Sequence, residues 1–354
     1  MSSILFFDPL CERPYSTRTR SEAAMAGTEA TVSRVADALG AIVMQQYRTE
    51  PEGRYLPSGR VEGVKHLVVI RESRRLQDLQ QRFPSARVYL WLHDRIMPGT
   101  KRGRHLAAQA HVLREMDLTI ICVSDWQRKG VEGVLNQLEG CRHIRVRRIY
   151  NAIEDSLAPD HSAVDSSKLV FFSSPNKGLI YTLDAFQALR QKMPDLRLYV
   201  ANPGYKKLPR LNIEGVVWLD ALPSAKALAE VRSALCVFCP NFVLPETFGL
   251  VFAEANAVGT PVLTHACGAA HEVIADSRQV LPVMESQQGY ERFARLVPIR
   301  WRRTPARYAA KLGIFDPYIE RIRAWRNGER PSTQPDLRFR FSGIAEQWRG
   351  LFDV

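Results

Sequence analysis

The sequence predicts an α/β protein with two parallel-sheet halves. Its 354 residues are too many for one ordinary hydrophobic core, so about two domains are expected. Short apolar runs rich in β-branched residues alternate with amphipathic stretches, the pattern of strands joined by crossover helices. A segment of proline, serine and acids, EDSLAPDHSAVDSS at 154–167, interrupts the alternation and is the best linker.

In the first half, SILFFD reads as a strand. TEATVSRVADALG then reads as a helix, with Ala30, Val32, Val35, Ala36 and Leu39 near helical spacing and Gly40 as its stop. AIVMQQ, HLVVIR, RVYLWLH, LTIICVS and IRVRRIYNA follow as strands. After the linker, KLVFFSS, DLRLYVANPG, VVWLDAL, ALCVFCP and PVLTH form a second strand series. LIYTLDAFQALRQK and AKALAEVRSA are the helices between them. Two such halves imply a cleft, with ligands outside the carboxyl ends of the strands.

Composition narrows the class. Apolar and charged fractions are those of a globular chain. No run of about 18 apolar residues occurs, so no membrane span is expected. The N-terminus lacks the basic region and long apolar core of a secretory signal. Together these place the protein in the cytoplasm. The six cysteines are scattered; Cys236 and Cys239 form a C-x-x-C, but on a strand their side chains point to opposite faces, and no second pair completes a zinc site. Buried thiols in a reducing compartment are expected. The net charge of +12 gathers in KRGRH (101–105), RHIRVRR (142–148) and RLVPIRWRRTPARYAAK (295–311), which suggests an anionic partner or surface.

The most informative stretch is PETFGLVFAEANAVGTPVL, 245–263. Seven residues separate Glu246 from Glu254. A helix should start near Phe248 and end at Gly259, leaving Glu246 before it and Glu254 inside it. The free N–H groups at its start suit a phosphate, and Gly249 lets a ligand approach the backbone. Carboxylates repel phosphate but accept strong hydrogen bonds from a diol. A sugar nucleotide offers both chemistries: hydroxyl-rich groups flanking a diphosphate. A glycoside-hydrolase pair is the competing reading; eight helical residues span about 12 Å, against the roughly 5–9.5 Å that such carboxylates need.

These residues, with CGAAHEVI after them, resemble the E-x7-E region of retaining nucleotide-sugar glycosyltransferases of family 4. FFSSPNKGLIYTLDAF resembles that family's phosphate-binding segment, NIEGVVWLDALP the strand and loop before the donor site, and VSDWQRKG and IYNAI the passage between domains. WLHD places His93 at the family's active-site histidine. AGTEATVSRVADAL resembles the glycine-rich loop and first helix, and FSGIAEQWRGLF the last helix. The resemblance implies a GT-B fold: two Rossmann-like α/β domains facing each other across a cleft, with a C-terminal helix crossing back to the first. The domains expected are 1–160, completed by 338–354, and 161–337.

The resemblance also implies roles. Glu254 would hold the ribose and Glu246 would face the donor sugar. Lys177 would neutralise the diphosphate with the amides of Phe248, Gly249 and Leu250. Gly27 would let its loop approach the donor phosphate, and His93 would contact the donor sugar. No metal or other cofactor is implied. The sequence departs from the family pattern where Ser173 and Ser174 stand near the position of an arginine, and where Ala26-Gly27 and Gly268-Ala269 replace Gly-Gly pairs. The expected reaction moves a sugar with retention from a nucleoside diphosphate-sugar to a hydroxyl of a glycan or lipid-linked saccharide. Bacterial cell-surface polysaccharide or lipopolysaccharide synthesis is the expected setting. Contact with an anionic membrane surface through 295–311 is a further expectation. The rival reading is a non-catalytic nucleic-acid-binding or scaffold protein with a degenerate fold. No nucleic-acid motif supports it, and no nucleic-acid partner is expected.

Overall fold

The computed structural model describes residues 3–59, 61–202, 211–242, 244–296 and 308–353. The chain forms two compact units, Met1–Asp155 with Leu337–Val354, and Ser156–Asp336.

The first unit is built on a sheet of seven parallel strands: β1 (Ile4–Asp8), β2 (Ile42–Gln45), β3 (Tyr55–Pro57), β4 (His66–Ile70), β5 (Arg87–Leu92), β6 (Leu118–Cys122) and β7 (Arg145–Arg148). Their spatial order is β3-β2-β1-β4-β5-β6-β7. The central strands are apolar because both faces are covered. Along β1, Leu5 and Phe7 join the core on one face with Val69, Leu90 and Ile120, while Phe6 points to the other. That second face receives the C-terminal helix Phe341–Phe352. Its Trp348 is fully buried, with its ring 4.5 Å from Trp91 and 5.8 Å from Phe6. The chain is tied in before this helix by Ile153 N–H to Phe339 carbonyl at 2.8 Å and Phe341 N–H to Ile153 carbonyl at 3.0 Å. The helix read from TEATVSRVADALG spans Gly27–Leu39 and stops at Gly40, whose φ of 60° is left-handed. Strand β3 was not legible: its three residues sit in a polar loop.

The second unit holds six parallel strands: β8 (Asp165–Phe171), β9 (Arg197–Asn202), β10 (Val216–Ala221), β11 (Ala234–Phe238), β12 (Val262–His265) and β13 (Val280–Leu281). Their order is β10-β9-β8-β11-β12-β13. The end of the expected linker, from Asp165, is already strand. The helix Leu179–Lys192 spans the stretch read as helical in the sequence.

Strand order fixes where each unit can bind. In the first sheet the chain reverses its direction of travel between β1 and β4, and in the second between β8 and β11. At such a switch point the flanking loops diverge and leave a crevice at the carboxyl ends. Among the described residues, no helix is long and apolar enough to cross a membrane.

Trp348→Ala should therefore destabilise the first unit by about 3–5 kcal/mol, since it empties a site packed by three aromatic rings. Urea denaturation of the full chain reads this as an earlier transition.

Candidate active site

At the switch point of the second sheet, two loops meet. The first leaves β8 and turns with Lys177 N–H bonded to Ser174 carbonyl at 2.8 Å. Gly178, with a φ of 93°, then starts the helix Leu179–Lys192. The second loop leaves β11 and reaches Glu246, whose backbone pairs with Gly268 in a parallel bridge. Ala269 N–H donates to the Glu246 carbonyl at 2.9 Å. Gly268 has a φ of 71°, and a Cβ there would lie 2.3 Å from the Glu246 carbonyl oxygen, so only glycine allows this approach.

Because β8 and β11 are neighbours, their loops bring Lys177 to Glu246. Lys177 Nζ lies 2.6 Å from Glu246 Oε2. The glutamate side chain is 7 % exposed and the lysine 35 %. Glu246 Oε1 is buried without a hydrogen-bond partner. A carboxylate this dry requires a cation, which the Lys177 ammonium supplies. Sequence reasoning named both residues, one for the donor sugar and one for the diphosphate, but not their contact with each other. The signal that joins them is topological: each follows one of the two strands at the switch point.

The helix after Glu246 runs Leu250–Ala257, starting two residues later than expected. Gly249 caps it with a φ of 92°, where a Cβ would lie 2.7 Å from the Phe252 ring. Phe248 is buried. Glu254 is half-buried within this helix. Ser173 and Ser174 are buried, and Ser174 Oγ bonds to Asn176 Oδ1. Cys236 lies on β11 and Cys239 just beyond its end. Both thiols are free and buried, and burial pushes both well up from the ordinary thiol range.

In the first unit, Gly27 is the exposed first residue of its helix. His93 follows the end of β5, half-buried, with its ring 4.7 Å from Trp91. Burial, and next the Arg71 charge, pull its imidazole down to about 3, so it is neutral at physiological pH. A charge cluster that sequence reasoning missed lies at this unit's switch point. Arg71 Nη2 sits 3.6 Å from Asp8 Oδ1 and 3.4 Å from Glu29 Oε1. Asp8 is fully buried and also accepts from the Tyr15 hydroxyl at 3.1 Å. Arg71 holds a φ of 63°, a conformation costing a non-glycine residue about 1–3 kcal/mol. No local sequence signal announces it.

The basic stretches divide. In KRGRH, Arg102 is paired with Glu72 and Asp94, each at 3.3 Å. In RHIRVRR, Arg145 pairs with Asp117, and Arg148 with Asp125 at 3.6 Å. Local acids thus pair with some of the cations in each. The third stretch falls largely on 297–307, outside the described residues.

Comparison with known proteins adds a class to this geometry. Residues 166–297, which carry the Lys177–Glu246 site, match the family described as Glycosyl transferases group 1. A phosphatidyl-myo-inositol mannosyltransferase of Mycobacterium leprae is 31% identical over 109 residues, which is 30% of this chain and 29% of that relative. The match thus spans under a third of the relative's length. Among solved structures, sucrose-phosphate synthase from Thermosynechococcus elongatus superposes with a TM-score of 0.62 at 16% identity, covering 99% of this chain and 98% of its own. Anabaena HepE, solved in complex with UDP, gives 0.61 at 17% identity, covering 99% of both chains. WaaG, a glycosyltransferase involved in lipopolysaccharide biosynthesis, gives 0.56 at 14% identity, covering 98% of this chain and 99% of its own. The fold is that of GT-B glycosyltransferases, with two Rossmann-like parallel-sheet units, and the matched segment is similar to the Glycosyl transferases group 1 family.

Lys177→Met should cost about 3 kcal/mol of stability, because it leaves a buried carboxylate without its cation. Adding Glu246→Gln should restore most of the loss. Urea denaturation of the two single variants and the double variant gives the coupling.

Proposed function

We propose that the protein is a retaining glycosyltransferase. It moves a sugar from a nucleoside diphosphate-sugar to a hydroxyl of a glycan or lipid-linked saccharide, in the synthesis of a bacterial surface polysaccharide or lipopolysaccharide. The observation that carries this reading is the Lys177–Glu246 pair at the switch point, with one carboxylate oxygen unpartnered beside two helix starts. An ammonium suits a diphosphate, and a carboxylate with a spare acceptor suits a sugar hydroxyl.

In the proposed reaction the bond from the anomeric carbon to the diphosphate oxygen breaks while the acceptor oxygen attacks from the same face. The departing diphosphate takes the acceptor's proton. Negative charge grows on the diphosphate, where Lys177 and the N–H groups at the start of Leu250–Ala257 stabilise it. These groups would supply the charge neutralisation without a divalent metal. Glu254, one helical turn or more beyond that start, would take the ribose hydroxyls. Neutral His93 can offer a sugar hydroxyl one donor or one acceptor without adding charge.

The experiment is a panel of UDP-, GDP- and dTDP-sugars scored for nucleotide release with and without glycan acceptors, the product anomer being read by NMR. Retained configuration supports the reading; inverted product, or no release with any donor, contradicts it. With the donor so selected, Glu254→Ala should weaken nucleoside diphosphate binding at least about tenfold in calorimetry, from the loss of roughly 1.5–3 kcal/mol of charge-assisted hydrogen bonding. Turnover should persist in EDTA; loss that magnesium or manganese restores would contradict the metal-free reading.

A further inference from the structure

Three segments around the second unit's site each carry an aromatic or imidazole ring, and the rings meet. Tyr181 lies four residues beyond Lys177, in the first turn of its helix. Phe242 lies four residues before Glu246. His265 ends β12, three residues before Gly268, which holds the Glu246 backbone. The Phe242 ring stands edge-to-face with Tyr181 at 4.8 Å and with His265 at 5.2 Å, with interplanar angles of 87° and 78°.

The outer two rings are locked by a fourth. Tyr318, on the helix Asp316–Ala324, places its buried hydroxyl 2.6 Å from His265 Nε2 and 3.2 Å from the Tyr181 hydroxyl. His265 Nδ1 lies 3.0 Å from the Pro282 carbonyl, which can only accept, so the proton sits on Nδ1. Burial pulls His265 down to about 4, which keeps the ring in this neutral form. Tyr181, Tyr318 and His265 are all buried, whereas Phe242 is half-buried. Asn241 Nδ2 donates to the Leu244 carbonyl at 2.6 Å, and Leu244 N–H returns to Asn241 Oδ1 at 3.2 Å.

We propose that Phe242 is a positioning residue for Glu246: clasped by the Tyr181 and His265 rings, it fixes the loop that presents the carboxylate to Lys177. The Gly268 bridge anchors Glu246 from the C-terminal side, and the clasp anchors it from the N-terminal side. The three segments then hold one spacing between ammonium and carboxylate. The inference rests on the proposed sugar transfer for its kinetic consequence, and on the geometry alone for its structural one.

The test compares Phe242→Ala, Phe242→Leu and Phe242→Tyr. Hydrogen exchange at the Leu244 and Ala269 amides should quicken by about tenfold in the alanine and leucine variants, while the tyrosine variant keeps wild-type protection. With the donor selected by the nucleotide-release panel, kcat should fall about tenfold in those two variants with KM for donor within about threefold, and the tyrosine variant should restore it. Wild-type exchange in the alanine variant would overturn the clasp. Faster exchange with unchanged kcat would overturn the positioning role and leave a purely structural contact. If no donor supports release, the transferase reading fails, while the exchange experiment still decides the clasp.

Discussion

The site depends on one ion pair made at the junction of two neighbouring strands. Lys177 and Glu246 are 69 residues apart in sequence and 2.6 Å apart in space. That proximity is a property of the sheet order, which sets β8 beside β11 and sends their loops out of the same crevice. Two glycines in left-handed conformation make the approach possible. Gly178 turns the chain directly after Lys177, and Gly268 lets a second loop lie against the Glu246 backbone. The pair also solves an energetic problem. A carboxylate at this depth would be expelled or protonated without a partner, and the Lys177 ammonium is that partner.

The fold was legible because parallel strands buried on both faces read as continuous apolar runs. SILFFD, HLVVIR and ALCVFCP could be placed without any tertiary information, and so could the helices stopped by Gly40 or spanning Leu179–Lys192. Short edge strands were not: Tyr55–Pro57 and Val280–Leu281 carry too few residues to show a period, and pairing with a neighbour defines them. At the site, residue types pointed to the chemistry of each group but not to their partners. Lys177 and Glu246 were readable as charges near a helix start, yet their contact follows from strand order, which spacing does not encode. The cluster of Asp8, Glu29 and Arg71 was invisible for the same reason. Its members come from β1, a helix and the end of β4, and only the reversal between β1 and β4 assembles them.

Net charge says nothing of where a basic surface lies. The +12 already counts the acids, and pairing within the fold decides which cations stay unneutralised locally. Arg102, Arg145 and Arg148 each face a carboxylate supplied by another part of the first unit. Exposed pairs of this kind contribute little stability, about 0–1 kcal/mol each. They do lower the surface potential that a long-range partner would sense.

The central claim is that Lys177 divides its donors between Glu246 and the diphosphate of a nucleotide. It is tested most directly by a crystal structure of the protein with the nucleoside diphosphate that the donor panel selects. The account predicts Lys177 Nζ within hydrogen-bond distance, about 2.7–3.2 Å, of both a phosphate oxygen and Glu246 Oε2. A diphosphate held elsewhere, with the Lys177–Glu246 pair untouched by ligand, would contradict it.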